Sequence, residues 1–204
     1  MAKRKRPRTE VFLNIPYDKK FERLFLAYIA GISAFGLIPR ATLEITDSSR
    51  RLNKIIKLIS ACEYSIHDLS RVQLDRKKPR TPRFNMPFEL GLCVAEAMRT
   101  ERGKQNWFVF EAMEQRMEKS LSDLKGTDAK IHEGRISGVF AELCNIFKPR
   151  GRRPTVQQMS KIYREVRGKQ SVILRESGAN TIFKGRVFKD ICAVASAWAD
   201  EIVV

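Results

Sequence analysis

A few acidic side chains and both histidines stand where this sequence could do chemistry. Glu89 sits in RFNMPFELGLCVAEA (83–97), where almost every neighbour is apolar. Asp68 lies near the end of the apolar run YSIHDLS (64–70), directly after His67. Asp123, Asp128 and His132 share the glycine-punctuated stretch SDLKGTDAKIHEG (122–134). A carboxylate at a helix start is either a charge satisfied by the macrodipole or a reactive group whose pKa burial raises. In the second case it serves as acid, base or nucleophile, or stabilises a developing positive charge.

The segment around Glu89 carries both readings. Asn85 is placed as an N-cap and Pro87 in the first turn, both helix-start signals. Phe88, Leu90, Leu92, Cys93, Val94 and Ala95 leave little polar face, so the helix is expected to be buried with its carboxylate facing protein or a pocket. Gly91 would admit close approach of a backbone or ligand. In the second stretch, Gly126 reads as a helix stop, Asp128 as a cap and His132 as exposed. The alternative makes Asp128 and His132 an acid or base beside a pocket. His67, if it points inward, reads as hydrogen-bonded packing.

Other chemistries lack their signatures. There is no GxxxxGK[ST] loop, no GxGxxG after the first strand and no GxSxG elbow, which disfavours kinases, NAD-dependent dehydrogenases and α/β-hydrolases. Cys62, Cys93, Cys144 and Cys192 are widely spaced and form no C-x-x-C pair. With only two histidines, a zinc site is disfavoured, and the cysteines read as reduced core residues.

The elements that must position these groups alternate. VFLNI (11–15) reads as a buried strand, and residues 18–35 as a helix with Phe21, Leu24, Phe25, Tyr28, Ile29 and Ile32 near one face, stopped by Gly36. LIPRATLEI (37–45) reads as extended, with Pro39 arguing for a sheet edge. A helix over 48–61 with serine caps, a strand over 64–70, a helix over 86–100, a strand over 106–112 and helices over 113–124 and 136–147 follow. A loop of about a dozen residues precedes the Glu89 helix, long enough to be functional. Alternation of this kind predicts a parallel sheet with helices on both faces. Strand ends then carry Asn14, Glu44, His67 with Asp68, and Glu111, at the edge where open parallel sheets bind ligands. Past KPRGRRP (148–154), residues 155–167 and 183–201 look helical. Phe183, Val187, Phe188, Ile191, Ala195 and Trp198 form a stripe expected to pack on the α/β core or on another chain. The chain therefore divides into a basic disordered tail (1–10), an α/β domain (11–147), and a linker with a helical C-terminal extension (148–204).

The net charge of +16 implies attraction to anions such as nucleotides, nucleic acid or acidic surfaces. It concentrates in KRKRPR (3–8), RKKPRTPR (76–83) and KPRGRR (148–153), which lack interleaved aromatics, so any nucleic-acid binding would be phosphate-driven. Solvated loops are the plain alternative. No apolar run approaches the roughly 18 residues of a membrane span, and no secretory segment opens the chain, so no membrane partner and a cytoplasmic setting are expected.

The succession of NIPYD after the first strand, SIHDLS at the third, and FNMPFELGLCVAEA opening the next helix resembles one family group. It is the nucleoside 2-deoxyribosyltransferase-like and Toll/interleukin-receptor-like (TIR-like) group of flavodoxin-like domains, and the resemblance spans residues 11–147. It implies a flavodoxin-like α/β sheet of four to five strands, with the C-terminal helices outside it. It implies that Glu89 attacks or stabilises the anomeric carbon of a ribosyl group, that Asp68 positions the sugar hydroxyls, and that Asn14 and Tyr17 contact base or phosphate. Asn85, Asp128 and His132 complete the candidate substrate-binding set. The expected activity is cleavage or transfer at the N-glycosidic bond of a nucleotide, nucleoside or NAD, conceivably as a bacterial antiviral defence effector. No cofactor is expected beyond NAD or a nucleotide as substrate. The competing readings are a non-catalytic TIR-like signalling module that assembles as a homo-oligomer, and a nucleic-acid-binding protein.

Overall fold

The computed structural model describes residues 9–72, 81–99, 105–147 and 151–203. Residues 3–8, 76–80 and 148–150 of the three basic segments, and most of the long loop before Glu89, lie outside them. The elements run β1 (Glu10–Asn14), α1 (Glu22–Ala34), β2 (Ile38–Ala41), α2 (Arg51–Ala61), β3 (Tyr64–Asp68), α3 (Asn85–Arg99), β4 (Asn106–Glu111), α4 (Arg116–Ser120), β5 (Lys130–Ile131), α5 (Ile136–Ile146), α6 (Val156–Ser177) and α7 (Gly185–Ile202). All strand pairs are parallel, in the order β2-β1-β3-β4-β5. This is the flavodoxin-like order, and chain direction across the sheet reverses between β1 and β3, where such folds bind ligands. Among the described residues no helix is long and apolar enough to cross a membrane.

Alternation along the strands divides the core. Val11 and Leu13 of β1 face α1 in the larger apolar cluster, whereas Phe12 faces α2 with Ile55 and Ile59. The α1 helix departs from the one-faced expectation: Leu24 through Ala34 are all buried. One side of α1 meets the sheet, and α5, α6 and α7 pack on the rest. A helix apolar all round needs such a second cover. The C-terminal stripe provides it, with Val187, Phe188, Ile191 and Ala195 buried in the same cluster as the β1 side chains. Gly36 does stop α1, at φ 73°.

Several boundaries differ from expectation. Glu10, placed in the tail, opens β1, and β2 ends at Ala41 in a turn of 3-10 helix, Thr42–Glu44. The serine caps of α2 are absent. Arg50 precedes that helix in a left-handed conformation, while Ser49 bonds Asp47 instead. The expected helix over 113–124 shrinks to α4 and one 3-10 turn, and β5 is only two residues long, too short to show alternation. One cysteine leaves the core, and another sits at its margin. Val139, Phe140, Leu143 and Ile146 take the buried stripe of α5, which turns Cys144 outward, and Cys192 is half-buried; all four thiols are free.

Candidate active site

At the start of α3, Phe88 N donates to Phe84 O at 2.9 Å, so Phe84 takes the cap position. Asn85 is thus the first helical residue and exposed, a correction to its expected role as cap. Glu89 opens the second turn, and the first turn holds no acid, so the helix terminus does little for its charge. The helix is also less buried than its composition suggests. Met86, Leu90 and Cys93, spaced four and three apart, form its one buried stripe, while Phe88 is 55% exposed. A Cβ on Gly91 would meet no described residue within 4 Å, so no packed backbone calls for a glycine there.

The outward face borders a cleft of about 870 Å³ at the carboxyl ends of β1 and β2. Asn14, Tyr17, Thr42, Arg51, Arg83, Asn85 and Glu89 supply its polar groups, and Leu52, Phe84 and Phe88 its apolar walls. Burial pushes the Glu89 carboxyl up from 4.5 to about 7, with Arg51 the one charge pulling it back. No hydrogen bond to a described residue supports the ionised form. The group therefore titrates near neutrality, where a carboxyl can give or take a proton. Tyr17 packs its ring on Phe25 and Phe183 and lies 3.2 Å from Thr42 Oγ1 through its hydroxyl. Burial, with the Glu89 charge adding to it, raises its phenol well above the usual range and keeps it protonated.

Asn14 reaches the same cleft but has little left to offer. Its amide donates to His67 Nδ1 at 2.9 Å and to Met86 O at 2.8 Å, tying the end of β1 to the start of α3. Only its Oδ1 remains for a ligand. That bond places the His67 proton on Nε2, which donates to Ser65 Oγ at 3.1 Å. Burial lowers the His67 pKa to about 3, so this histidine is neutral packing.

Asp68 does not join Glu89. Strand alternation turns His67 toward α3 and Asp68 toward α1. There Asp68 is fully buried, accepting from Tyr28 Oη at 2.7 Å and Ser70 N at 2.9 Å, with His132 Nε2 3.1 Å from its Oδ2. Its place on the other face of the sheet corrects the sequence assignment, which put both carboxylates at one site. His132, expected exposed in one reading, is fully buried with it. The close packing of α5 holds that turn: a Cβ on Gly138 would stand 2.3 Å from His132 O.

Ser70, His132 and Asp68 are the residue types of a hydrolase triad, and their geometry rules that chemistry out. Gly134 N donates to His132 Nδ1 at 3.0 Å, so the ring proton sits on Nε2. Both Ser70 Oγ, at 3.0 Å, and Asp68 contact that same nitrogen. A base must present a bare nitrogen to the serine and its proton to the acid. Here neither condition is met. Glu111, buried nearby, is held by the Arg116 guanidinium at 3.2 and 2.6 Å; burial pushes its carboxyl up and Arg116 pulls it back. Asp128 is exposed on a separate groove beyond β4, with Glu114, Glu118 and Lys130.

Of the candidate residues, Glu89, Asn14, Tyr17 and Asn85 share one cleft, and Asp68, His132 and Asp128 stand apart. The sequence reading missed Thr42, Arg51 and Arg83. Thr42 follows the end of β2 and Arg83 lies two residues before Asn85, so the rule that ligands bind at strand ends could have found both. Arg51 carries no such signal. Among the described residues no group of three His, Cys, Asp or Glu side chains is arranged to hold a metal ion.

Comparison with known proteins finds no matching family model and no similar curated protein. Among solved structures the chain is similar to a 2-desoxiribosyltransferase from Leishmania mexicana. Sequence identity is 18%, the TM-score is 0.39, and the match covers 62% of this chain and 75% of that one.

Proposed function

We propose that the Glu89 cleft receives a nucleoside or nucleotide and that the protein cleaves or transfers its N-glycosidic bond. The observation that carries this reading is a half-buried carboxylate, without a hydrogen-bonded partner among the described residues and titrating near 7, on the wall of a ligand-sized cleft. Breaking an N-glycosidic bond leaves positive charge on the sugar, and a fixed carboxylate stabilises that charge or captures it covalently. The ester formed on capture is then opened by water or by a second base, which returns Glu89 unchanged. Glu89 acts here as the carboxylate, so the departing base takes its proton from water. Thr42 and Asn85 offer hydrogen bonds to sugar hydroxyls, and Phe84 and Phe88, 67% and 55% exposed, offer rings on which a base can stack. Asp68 has no part in this scheme.

The test is incubation of the purified protein with nucleosides, nucleotides and NAD, followed by chromatography of the products. The wild type is expected to release free base or exchange it for another, and Glu89→Gln to be slower by about 10²–10⁴-fold. Equal rates in the two proteins, or no product from any member of the panel, would refute the reading.

A further inference from the structure

On the α1 side of the sheet edge lies a second cavity, of about 240 Å³. That is below the roughly 300–1,000 Å³ of sites that enclose a whole drug-sized ligand, so it suits one small group. Its walls carry Lys20, Arg23 and Arg71, together with Ser70, His132 and Gly134. The Lys20 ammonium and Arg23 guanidinium have no hydrogen-bonded or ion-paired partner among the described residues. Ser70 is 8% exposed, and its oxygen accepts from His132 Nε2, because Gly134 fixes the ring proton there. The Ser70 hydroxyl proton is left without an acceptor among the described residues, on a wall shared with three cations.

The nearby acids do not oppose an anion. Asp68 lies behind His132 with Tyr28 Oη and Ser70 N donating to its oxygens, and Glu111 is forked by Arg116. Glu133 pairs with Arg135 and Glu22 accepts from Gln170, and Asp18 is committed as well. Its Oδ1 accepts Lys20 N at 3.0 Å and Phe21 N at 3.1 Å, which sets the start of α1. Its Oδ2 accepts Arg71 Nε and Arg83 Nη1, each at 2.8 Å. Burial alone would raise the Asp18 carboxyl, but the two guanidiniums outweigh it and hold it below the usual range. Arg71 lines the small cavity and Arg83 lines the Glu89 cleft, so one carboxylate oxygen joins the two spaces.

We propose that this cavity binds a phosphoryl group, held by Lys20, Arg23, Arg71 and the Ser70 hydroxyl. Positive charge alone would attract many anions, but a hydroxyl donor beside three cationic donors matches the several oxygens of a tetrahedral phosphate. The group is either the phosphate ester of a nucleotide whose sugar lies at Glu89 or inorganic phosphate bound beside it. The first source rests on the function proposed above; the anion site itself does not.

Inorganic phosphate is titrated by calorimetry, at fixed ionic strength, into the full chain and four variants. These are Lys20→Gln/Arg23→Gln, Ser70→Ala, Glu89→Gln, and Lys161→Gln/Arg164→Gln as a control for equal charge loss on exposed positions of α6. Wild type, Glu89→Gln and the α6 control are expected to bind alike. Affinity falls roughly tenfold or more in Lys20→Gln/Arg23→Gln, and about threefold or more in Ser70→Ala. No saturable binding by the wild type, unchanged affinity in Lys20→Gln/Arg23→Gln, or an equal loss in the α6 control would overturn the proposal. A nucleoside 5′-monophosphate and its parent nucleoside then separate the sources. An ester phosphate makes the monophosphate compete with inorganic phosphate and weaken in Lys20→Gln/Arg23→Gln, while free phosphate and nucleoside bind together. Phosphate binding without base release refutes the glycosidic reading alone; base release with no phosphate binding refutes the anion site alone.

Discussion

Replacing Glu89 by glutamine should stabilise the fold, and only where the carboxyl is ionised. Its pKa rises from 4.5 in the unfolded chain to about 7 in the folded one. The folded state thus favours the protonated form. Below pH 4.5 both states are protonated and nothing is lost; as pH climbs through 7 the folded state comes to carry a charge that it solvates poorly. A shift of that size corresponds to about 3 kcal/mol of stability lost between those limits. Glutamine keeps the shape and carries no charge. The variant should exceed the wild type by less than about 1 kcal/mol at pH 5 and by about 3 kcal/mol at pH 8, read from urea unfolding at both. Taking the difference between the proteins cancels every other titrating group. A gap that does not change with pH, or a variant weaker than wild type at pH 8, would mean that the ionised carboxylate has a stabilising partner. The case for a reactive Glu89 would then fall.

Removing the cation that opposes this shift should act on the same group. Arg51→Met is expected to move the Glu89 titration above 7, seen by carbon NMR of labelled glutamate or as an alkaline displacement of any activity profile; an unmoved titration would show that Arg51 does not sense Glu89. Asp68→Ala leaves Tyr28 Oη and Ser70 N without their acceptor, removes the carboxylate beside His132 and should cost about 3–5 kcal/mol in urea unfolding; a loss under about 1 kcal/mol would contradict the buried network.

Much of the fold was legible because its signals were local. The apolar runs at 11–15, 64–70 and 106–112 each became a parallel strand, and Gly36 ended α1 where a stop was expected. The run LFLAYIAGISA was read as one-faced, yet all eleven residues are buried, because the C-terminal stripe covers the side of α1 away from the sheet. What failed was what depends on partners far along the chain. The length of β5 is set by pairing to β4 and by the turn at Gly134, neither of which leaves a mark in two residues. Burial of His132 follows from Tyr28 and Asp68, more than sixty positions away, converging on the same space. The misplacement of Asp68 was avoidable. Asn14 and His67 are register partners on one face of the sheet, so the next residue after His67 had to point to the other.

The two carboxylates at this sheet edge show why placement alone does not assign chemistry. Asp68 is the more deeply buried, yet Tyr28 Oη and Ser70 N donate to it and His132 Nε2 stands 3.1 Å away, so its charge is already answered within the protein. Such a group holds Tyr28 and Ser70 in place and, fully enclosed, lies out of a ligand's reach. Glu89 is less buried but has no donor among the described residues, and Arg51 offsets only part of its desolvation. Folding therefore leaves Glu89 with an unmet demand for positive charge, facing a space that a ligand can enter. Where neighbouring carboxylates differ in this way, the environment separates their roles. A sugar that turns cationic as its base departs would supply the missing charge at Glu89 at the moment of bond breaking, and only then.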